Sequence, residues 1–245
     1  MKIRFSFYLM SICIFLFSCE SETRDSKAIV LLEKSAEAHG GQERWSELRK
    51  ISFKKWTILL DSLGNTENET NQLQSFQLKP QFQGEISWTK DSLLHVSTWD
   101  GSQMSYFMGE NEVKNQDFLD QRKSEIDAAF YVLAQPWKLL QDPNAKLQYL
   151  GEGVFDGGKK VLTIEVTYGE DSDIWWYYFD PESFLIVGNE VQLSDHRSLI
   201  INGQMEEVEG MMFHGARTSY RVDDQGRKLY VRARYRYSDY ELEFD

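Results

Sequence analysis

Cysteine is almost absent from this chain. Its 245 residues include two cysteines, Cys13 and Cys19, so no thiol follows position 19. Disulfides, thiolate zinc sites and a cysteine nucleophile are therefore excluded from the rest of the sequence. That part of the chain has to be stabilised by packing and hydrogen bonding alone.

Proline and positive charge are scarce too. The chain has 4 prolines beside 7 Trp, 12 Tyr and 15 Phe, and this composition favours a β-rich globular fold over a linker-like chain. Because 27 Lys and Arg residues stand against 39 Asp and Glu residues, the formal net charge is −12. Such a charge disfavours non-specific attraction to nucleic acid, so we expect no nucleic-acid partner and only local basic sites.

Catalytic and metal-binding motifs are also missing. The sequence contains no GxSxG nucleophile elbow, HExxH helix, Walker loop or EF-hand loop. The glycine-rich stretch 151–158 predicts a hairpin, because a phosphate cradle needs a following helix. We therefore predict a protein that is not an enzyme and that holds no cofactor and no metal, with a hydrolase site formed only by tertiary convergence as the alternative. The four histidines stand apart at His39, His95, His196 and His214.

The longest apolar run lies at the amino terminus. Lys2 and Arg4 precede the apolar residues 5–17, a run shorter than the roughly 20 residues that a membrane-spanning helix needs. This pattern predicts a cleaved signal peptide over residues 1–18. The sequence Leu-Phe-Ser-Cys that ends at Cys19 resembles a bacterial lipobox, so we expect lipid attachment at this cysteine. An uncleaved membrane anchor is the alternative.

A helix is predicted directly after a short tether. Residues 19–27 are mostly polar and read as the lipidated tether. Ile29, Leu32 and Ala36 then recur at helical spacing, and the glycines at 40–41 predict the end of this first helix.

Strand patterns dominate the rest of the chain. From Ile51 onward the hydrophobic period changes to two and turn sequences recur at short intervals, which is typical of an antiparallel meander. Residues 117–141 interrupt it with a helical pattern that Pro136 breaks. The predicted strands cover residues 51–60, 70–79, 84–90, 93–99, 103–109, 146–155, 159–168, 173–180, 184–193, 197–202, 205–213, 216–222, 227–237 and 239–244.

A meander of this length predicts a curved sheet. Flat open sheets of more than about ten strands are unusual, so the sheet has to curl or close. We therefore predict a mainly β (α+β) fold: a strongly curved antiparallel sheet or unclosed β-barrel, lidded by the N-terminal helix and the mid-chain helix. These elements form a single domain over residues 28–245.

Two segments carry a family resemblance. Residues 31–41, LLEKSAEAHGG, followed by Trp45 and Leu48, resemble the opening helix of LolA-like envelope proteins. Residues 178–187, YFDPESFLIV, resemble their hairpin with an Asp-Pro turn. The sequence is also similar to uncharacterised lipoproteins of Bacteroidota. Because the chain is expected to be lipidated, it resembles the anchored LolB more than the carrier LolA.

The resemblance implies a function in the cell envelope. We expect an outer-membrane lipoprotein, facing the periplasm or the exterior, that binds a hydrophobic or amphipathic ligand such as a lipid or a lipoprotein acyl chain. Its partners would be this ligand, the membrane through the N-terminal lipid and an envelope protein. The candidate ligand-binding residues are Trp88, Trp99, Phe130 and Trp137, although the same aromatics could simply fill the core.

Two further patterns suggest other contacts. Residues 175–179, WWYYF, predict either a central strand covered on both faces or a platform for sugar rings, and the second reading favours a glycan-contacting or structural subunit of an outer-membrane complex. If residues 222 and 227 pair across a turn, basic side chains share one strand face. That face is either solvated and neutralised by acids or docks phosphate and carboxylate groups. The anion-docking candidates are Arg217, Arg221, Arg232, Arg234 and Arg236.

Overall fold

The structure is a computed structural model that describes residues 24–169 and 172–245. Cys19, the predicted signal peptide over residues 1–18 and most of the tether over residues 19–27 lie outside the described residues. The described residues contain four α-helices: α1 (Ser26–Ala38), α2 (Gln42–Glu47), α3 (Gln116–Leu133) and α4 (Trp137–Gln141).

Fifteen strands make up most of the described chain. Thirteen of them form one antiparallel sheet in the order β6-β5-β4-β3-β2-β1-β15-β14-β11-β10-β9-β8-β7, and β12 pairs with β13 outside it. The strands are β1 (Leu48–Leu60), β2 (Thr66–Gln77), β3 (Gln83–Lys90), β4 (Leu93–Trp99), β5 (Met104–Met108), β6 (Asn111–Glu112), β7 (Lys146–Phe155), β8 (Lys159–Thr167), β9 (Ile174–Phe179), β10 (Ile186–Gln192), β11 (Arg197–Asn202), β12 (Met205–Val208), β13 (Met211–His214), β14 (Ala216–Val222) and β15 (Lys228–Phe244).

The sheet is curved but not closed. Its two edges are the short β6 and the longer β7, while the long strands β1 and β15 pair near its centre. The predicted fold class, a curved antiparallel sheet with N-terminal and mid-chain helices, is confirmed. Because the sheet stays open, the helices can pack on one of its faces, and part of that face can remain uncovered.

The helices pack on one face of the sheet, called the inner face, in two core clusters. Trp45 of α2, Ile126 of α3 and Trp137 of α4 pack in the same cluster as Phe53 and Phe76 of the sheet. The second cluster joins α1 and α4 to strands β7–β10, with members that include Leu32, Leu139, Ile164 and Phe179. Buried side chains of α2 and α3 therefore lie in the first cluster, whereas α1 and α4 contribute buried side chains to both.

The helical segment 117–141 is broken near Pro136, as its sequence predicts. The structure divides residues 117–141 into α3 and α4, with Pro136 directly before α4. Proline lacks the N–H that a continuous helix would need, which explains the break. The two helices can therefore lie at different angles on the sheet.

The predicted strands 227–237 and 239–244 are one continuous strand, β15, and the predicted strand 205–213 is two strands. The pattern over residues 205–213 predicts a single strand, but the chain turns back at Glu209 and Gly210, which both have positive φ, and forms the β12–β13 hairpin. The hairpin meets the end of α1, where the Met212 amide donates to the His39 carbonyl at 2.9 Å. Gly40 lies so close to Met211 that a Cβ at Gly40 would stand 2.9 Å from the Met211 Cα. The glycine stop of α1 therefore also makes room for the hairpin.

His39 makes the stability of this junction depend on pH. The ring is 1% exposed, and burial lowers its pKa to about 4, whereas an unfolded histidine titrates near 6.5. Between these values the unfolded chain binds a proton that the folded chain excludes, so stability falls as the pH drops from about 6.5 toward 4. We expect His39 to account for a loss of about 2 kcal/mol between about pH 7 and pH 5.

Urea unfolding of the wild type and His39→Gln at both pH values tests this expectation. The variant lacks the titrating ring, so its stability should fall by about 2 kcal/mol less over the same interval. Burial also lowers the pKa of His214, but that contribution remains in both proteins and cancels in the difference. An identical pH dependence in the two proteins would contradict the assignment.

Candidate functional site

Two cavities lie on either side of α3. Cavity A, of about 290 Å³, includes Phe53, Ile86 and Tyr237 of the sheet in its lining. Cavity B, of about 300 Å³, includes Trp175 and Tyr177. These volumes lie at the lower end of the roughly 300–1,000 Å³ that small-molecule pockets occupy.

The same face of α3 forms a wall of both cavities. Ala128 and Val132 line cavity A and cavity B, and residues four apart on a helix share a face. Ala128 is exposed although it lies in the middle of the helix. The inner face of the sheet is therefore left uncovered on both sides of α3.

Each cavity contains a buried polar atom without a partner. His214 Nδ1 in cavity A and Gln135 Oε1 in cavity B make no hydrogen bond within residues 24–169 and 172–245. Burial lowers the pKa of His214 well below its usual value, and the charge of Arg217 adds to this effect, so the ring is neutral near pH 7. Burying a polar atom unpaired costs about 1–3 kcal/mol, so these atoms are places where a water or a ligand atom would bond.

Half of the residues that line cavity B are aromatic. Tyr131 and Tyr168 join Trp175 and Tyr177 in its lining, and the hydroxyls of Tyr131 and Tyr168 are 2.5 Å apart. Burial raises the pKa of Tyr131 and of Tyr177, so both hydroxyls stay neutral. The walls therefore suit an apolar group.

A third cavity differs in chemistry. Cavity C, of about 400 Å³, lies beside cavity A, and Lys55 and Gln72 line both. The pairs Lys55–Gln72, Gln72–Trp88 and Trp88–His95 run in register across β1 to β4. Directly paired residues point to the same face, so this polar row continues the inner face. Its lining comprises Lys55, Thr57, Leu59, Asn68, Thr70, Gln72, Trp88, Lys90, His95, Tyr106 and Arg122.

The structure separates the four aromatic residues predicted to bind a ligand. Trp88 lines cavity C, where its ring stacks on His95 with 5.2 Å between centroids. Trp137 is fully buried and stacks on Trp45 at 4.5 Å, so it fills the core instead of lining a cavity. Phe130 packs in the same core cluster.

Trp99 also packs against the core and lines none of the three cavities; the Lys123 ammonium lies 4.5 Å from its ring centroid. The sequence does not single out Ala128 and Val132, the two residues that line both cavity A and cavity B. An alanine and a valine on a helix look the same whether they face a core or a cavity.

The predicted pairing of the arginines is wrong. Val222 pairs with Lys228 instead of Arg227, and two bulges add one further residue each to β15, so Arg217 lies opposite Tyr235 and Arg234 lies opposite Thr218. A one-residue shift moves side chains to the other face of a sheet. Arg217 and Arg221 therefore lie on the inner face, whereas Arg234 and Arg236 lie on the outer face.

The arginines on the two faces of the sheet have different interaction partners. Arg217 is buried and donates to Asn189 Oδ1 at 2.8 Å and to Asn202 Oδ1 at 2.9 Å. Arg221 donates to the Ser198 hydroxyl at 2.7 Å. On the outer face the Arg236 guanidinium lies over the Trp56 ring. Arg232, at one bulge, pairs with Glu67, so the five residues form no common anion-binding face.

The aromatic run 175–179 makes side-chain contacts on both faces of the sheet, and Trp175 and Tyr177 also line cavity B. Tyr177 and Phe179 are buried in the core, while on the outer face the Arg197 guanidinium lies 4.8 Å from the Trp176 ring centroid. Tyr178 packs on Phe155 with 4.5 Å between ring centroids and donates to Glu190. Trp176 and Tyr178 are thus already in contact with other side chains. These contacts favour the interpretation of residues 175–179 as a central strand over a platform for sugar rings.

Two other kinds of functional feature are absent from the residues that the structure describes. Within the described ranges, no group of three or more His, Cys, Asp or Glu side chains converges as metal ligands would. Of the helices from residue 24 onward that the structure describes, none combines the length and the apolar character needed to cross a bilayer.

Comparisons with known proteins identify the fold. Residues 2–197 match the family of unknown function DUF6503, and no curated protein matches the chain. Among solved structures, a DUF1329 family protein from Desulfovibrio piger is similar with a TM-score of 0.54 and 8% identity, over 88% of this chain and 93% of that one. A LolA superfamily protein from Nitrosomonas europaea is similar with a TM-score of 0.53 and 14% identity, over the same shares. The predicted LolA-like fold is confirmed.

Proposed function

We propose an acyl-chain-binding function in the cell envelope for this chain, which belongs to the family of unknown function DUF6503. The observation that carries the proposal is the pair of cavities A and B, which meet at Ala128 and Val132 of α3. The ligand is a lipid or the acyl chain of a lipoprotein. The protein holds this ligand without changing it chemically.

The energetics favour a hydrocarbon ligand. Each buried methylene contributes about 0.8 kcal/mol, so a chain of about ten buried methylenes supplies on the order of 8 kcal/mol before the entropic cost of binding. The aromatic walls of cavity B and the side chains of Phe53 and Ile86 in cavity A offer this kind of surface. The unpaired atoms of His214 and Gln135 add one polar contact in each cavity.

We further propose that the protein is an outer-membrane lipoprotein anchored through Cys19. The acidic domain gains little from an anionic membrane surface, so a covalent lipid would supply the attachment. A partner protein of the envelope would deliver or receive the ligand at the cavities.

Filling the space beside α3 tests the acyl-binding proposal. Ala128 is exposed and lines both cavities, so Ala128→Trp places a large ring in them without disturbing the core. We expect this variant to bind a fluorescent fatty acid at least about tenfold more weakly, because the loss of about two buried methylenes already corresponds to that factor. Fluorescence titration of the purified full chain measures the affinity.

Gln121→Trp provides the matched control. Gln121 is an exposed residue of the same helix and lines neither cavity, so this variant should bind the fatty acid as the wild type does. Thermal unfolding of both variants separates loss of binding from loss of folding. Equal affinities of Ala128→Trp and the wild type would refute binding beside α3.

A further inference from the structure

Cavity C is basic in a strongly acidic protein. Three of its lining residues, Lys55, Lys90 and Arg122, are cationic, and its lining contains no Asp or Glu. The chain as a whole has 39 Asp and Glu residues and a net charge of −12. A lining without carboxylates therefore runs against the composition and indicates a site for an anion.

The cations of cavity C are poorly neutralised by the protein itself. Within residues 24–169 and 172–245, neither Lys55 nor Lys90 has a carboxylate at salt-bridge distance. Arg122 pairs with Glu125 at 2.5 Å, yet its buried Nε has no hydrogen-bond partner in the same residues. Lys55 is partly buried and Lys90 is exposed, so both ammonium groups can pair with an anion that a ligand supplies.

Lys55 stands at the junction of two kinds of surface. It lines the mainly apolar cavity A and the polar cavity C, and its ammonium lies 5.3 Å from the centroid of the Tyr235 ring. A ligand with an acyl chain in cavity A would therefore place its next group beside this ammonium. Charge-assisted hydrogen bonds from lysine and arginine are the usual protein contacts of phosphate.

The remaining walls of cavity C suit a headgroup with hydroxyls. Asn68, Thr70 and Gln72 supply amide and hydroxyl groups, and the half-buried Trp88 ring supplies an apolar platform. We propose that cavity C binds the phosphate and the hydroxyl groups of an anionic phospholipid headgroup whose acyl chain occupies cavity A. This inference rests on the proposed function, since it assigns the other end of the same ligand.

Two lysolipids with the same acyl chain test the inference on the purified full chain. Lysophosphatidylglycerol carries an anionic headgroup with hydroxyls, and lysophosphatidylcholine carries a zwitterionic one. We expect the wild type to bind the first about tenfold or more tightly than the second, and Lys55→Gln to weaken the first about tenfold while it changes the second by less than about twofold. Lys90→Gln, at an exposed position, should act in the same direction and keeps the test valid if Lys55→Gln fails to fold.

Lys54→Gln is the matched control. Lys54 neighbours Lys55 on β1 but pairs with Asp239 and lines none of the three cavities, so both affinities should match the wild type. Equal binding of the two lysolipids would overturn the headgroup site and leave acyl-chain binding intact. Binding of neither would overturn both proposals. Glycerol 3-phosphate that binds as tightly as lysophosphatidylglycerol would assign cavity C to a free anion and overturn the lipid headgroup.

Discussion

Replacing Trp137 by alanine is expected to lower the free energy of unfolding by about 4 kcal/mol, as removal of a fully buried tryptophan typically does. The side chain is 0% exposed and stacks on Trp45 with 4.5 Å between centroids and 4° between planes. Its indole N–H also donates to the Gly41 carbonyl at 3.3 Å. Truncation therefore leaves a cavity between α2 and α4 and one carbonyl without its partner. Guanidinium unfolding at fixed pH measures the loss.

Trp56→Ala is the matched control for this prediction. Trp56 is half-buried, donates to Glu69 at 2.7 Å and lies under Arg236 on the outer face. Contacts of this exposed kind are worth about 1 kcal/mol, so the loss should be much smaller. If Trp137→Ala lost fatty-acid affinity but no more stability than Trp56→Ala, Trp137 would belong to the ligand site, as its sequence position suggested.

Replacing Cys19 by alanine is expected to release the protein from the outer membrane. The variant keeps the apolar residues 5–17 but loses the sulfur that we propose as the site of lipid attachment. Two or three acyl chains anchor a protein firmly, whereas one is marginal and none leaves an acidic domain with little affinity for an anionic surface. Membrane fractionation followed by mass spectrometry of the amino-terminal peptide measures location and acylation together.

Cys13→Ala serves as the control for this experiment. Cys13 lies inside the predicted signal peptide, so its loss should leave both acylation and membrane location unchanged. A Cys19→Ala protein that stays in the outer-membrane fraction without acylation would show that another device anchors it. Processing that leaves residues 1–18 attached in the wild type would favour the uncleaved membrane anchor.

Local patterns predicted the strands well for a physical reason. The predicted ranges 93–99, 146–155, 197–202 and 216–222 match the bounds of β4, β7, β11 and β14. Each of these strands alternates between two faces and ends at a turn, and both signals are contained in a few consecutive residues. The β12–β13 hairpin was missed because its turn at Glu209 and Gly210 joins two strands of only four residues.

The register between β14 and β15 could not be predicted from a few consecutive residues. The turn after Val222 fixes only the first pair, and the bulges at Leu229 and Arg232 then shift β15 twice against β14. Each shift changes the face on which the following arginines lie. A cationic strip that looked continuous in sequence therefore divided between the inner and outer faces.

Periodicity and turn residues thus determined from sequence alone the antiparallel meander and its two helical segments, because each depends on neighbours a few positions apart. Tertiary structure decided where the sheet stays uncovered. Ala128, Lys55 and His214 come from α3, β1 and β13, and only packing shows that they border one cavity. The same packing placed Trp137 in the core and Trp88 in a cavity. An aromatic side chain buries a similar apolar area in the core and in a cavity wall, so the sequence alone does not distinguish the two positions.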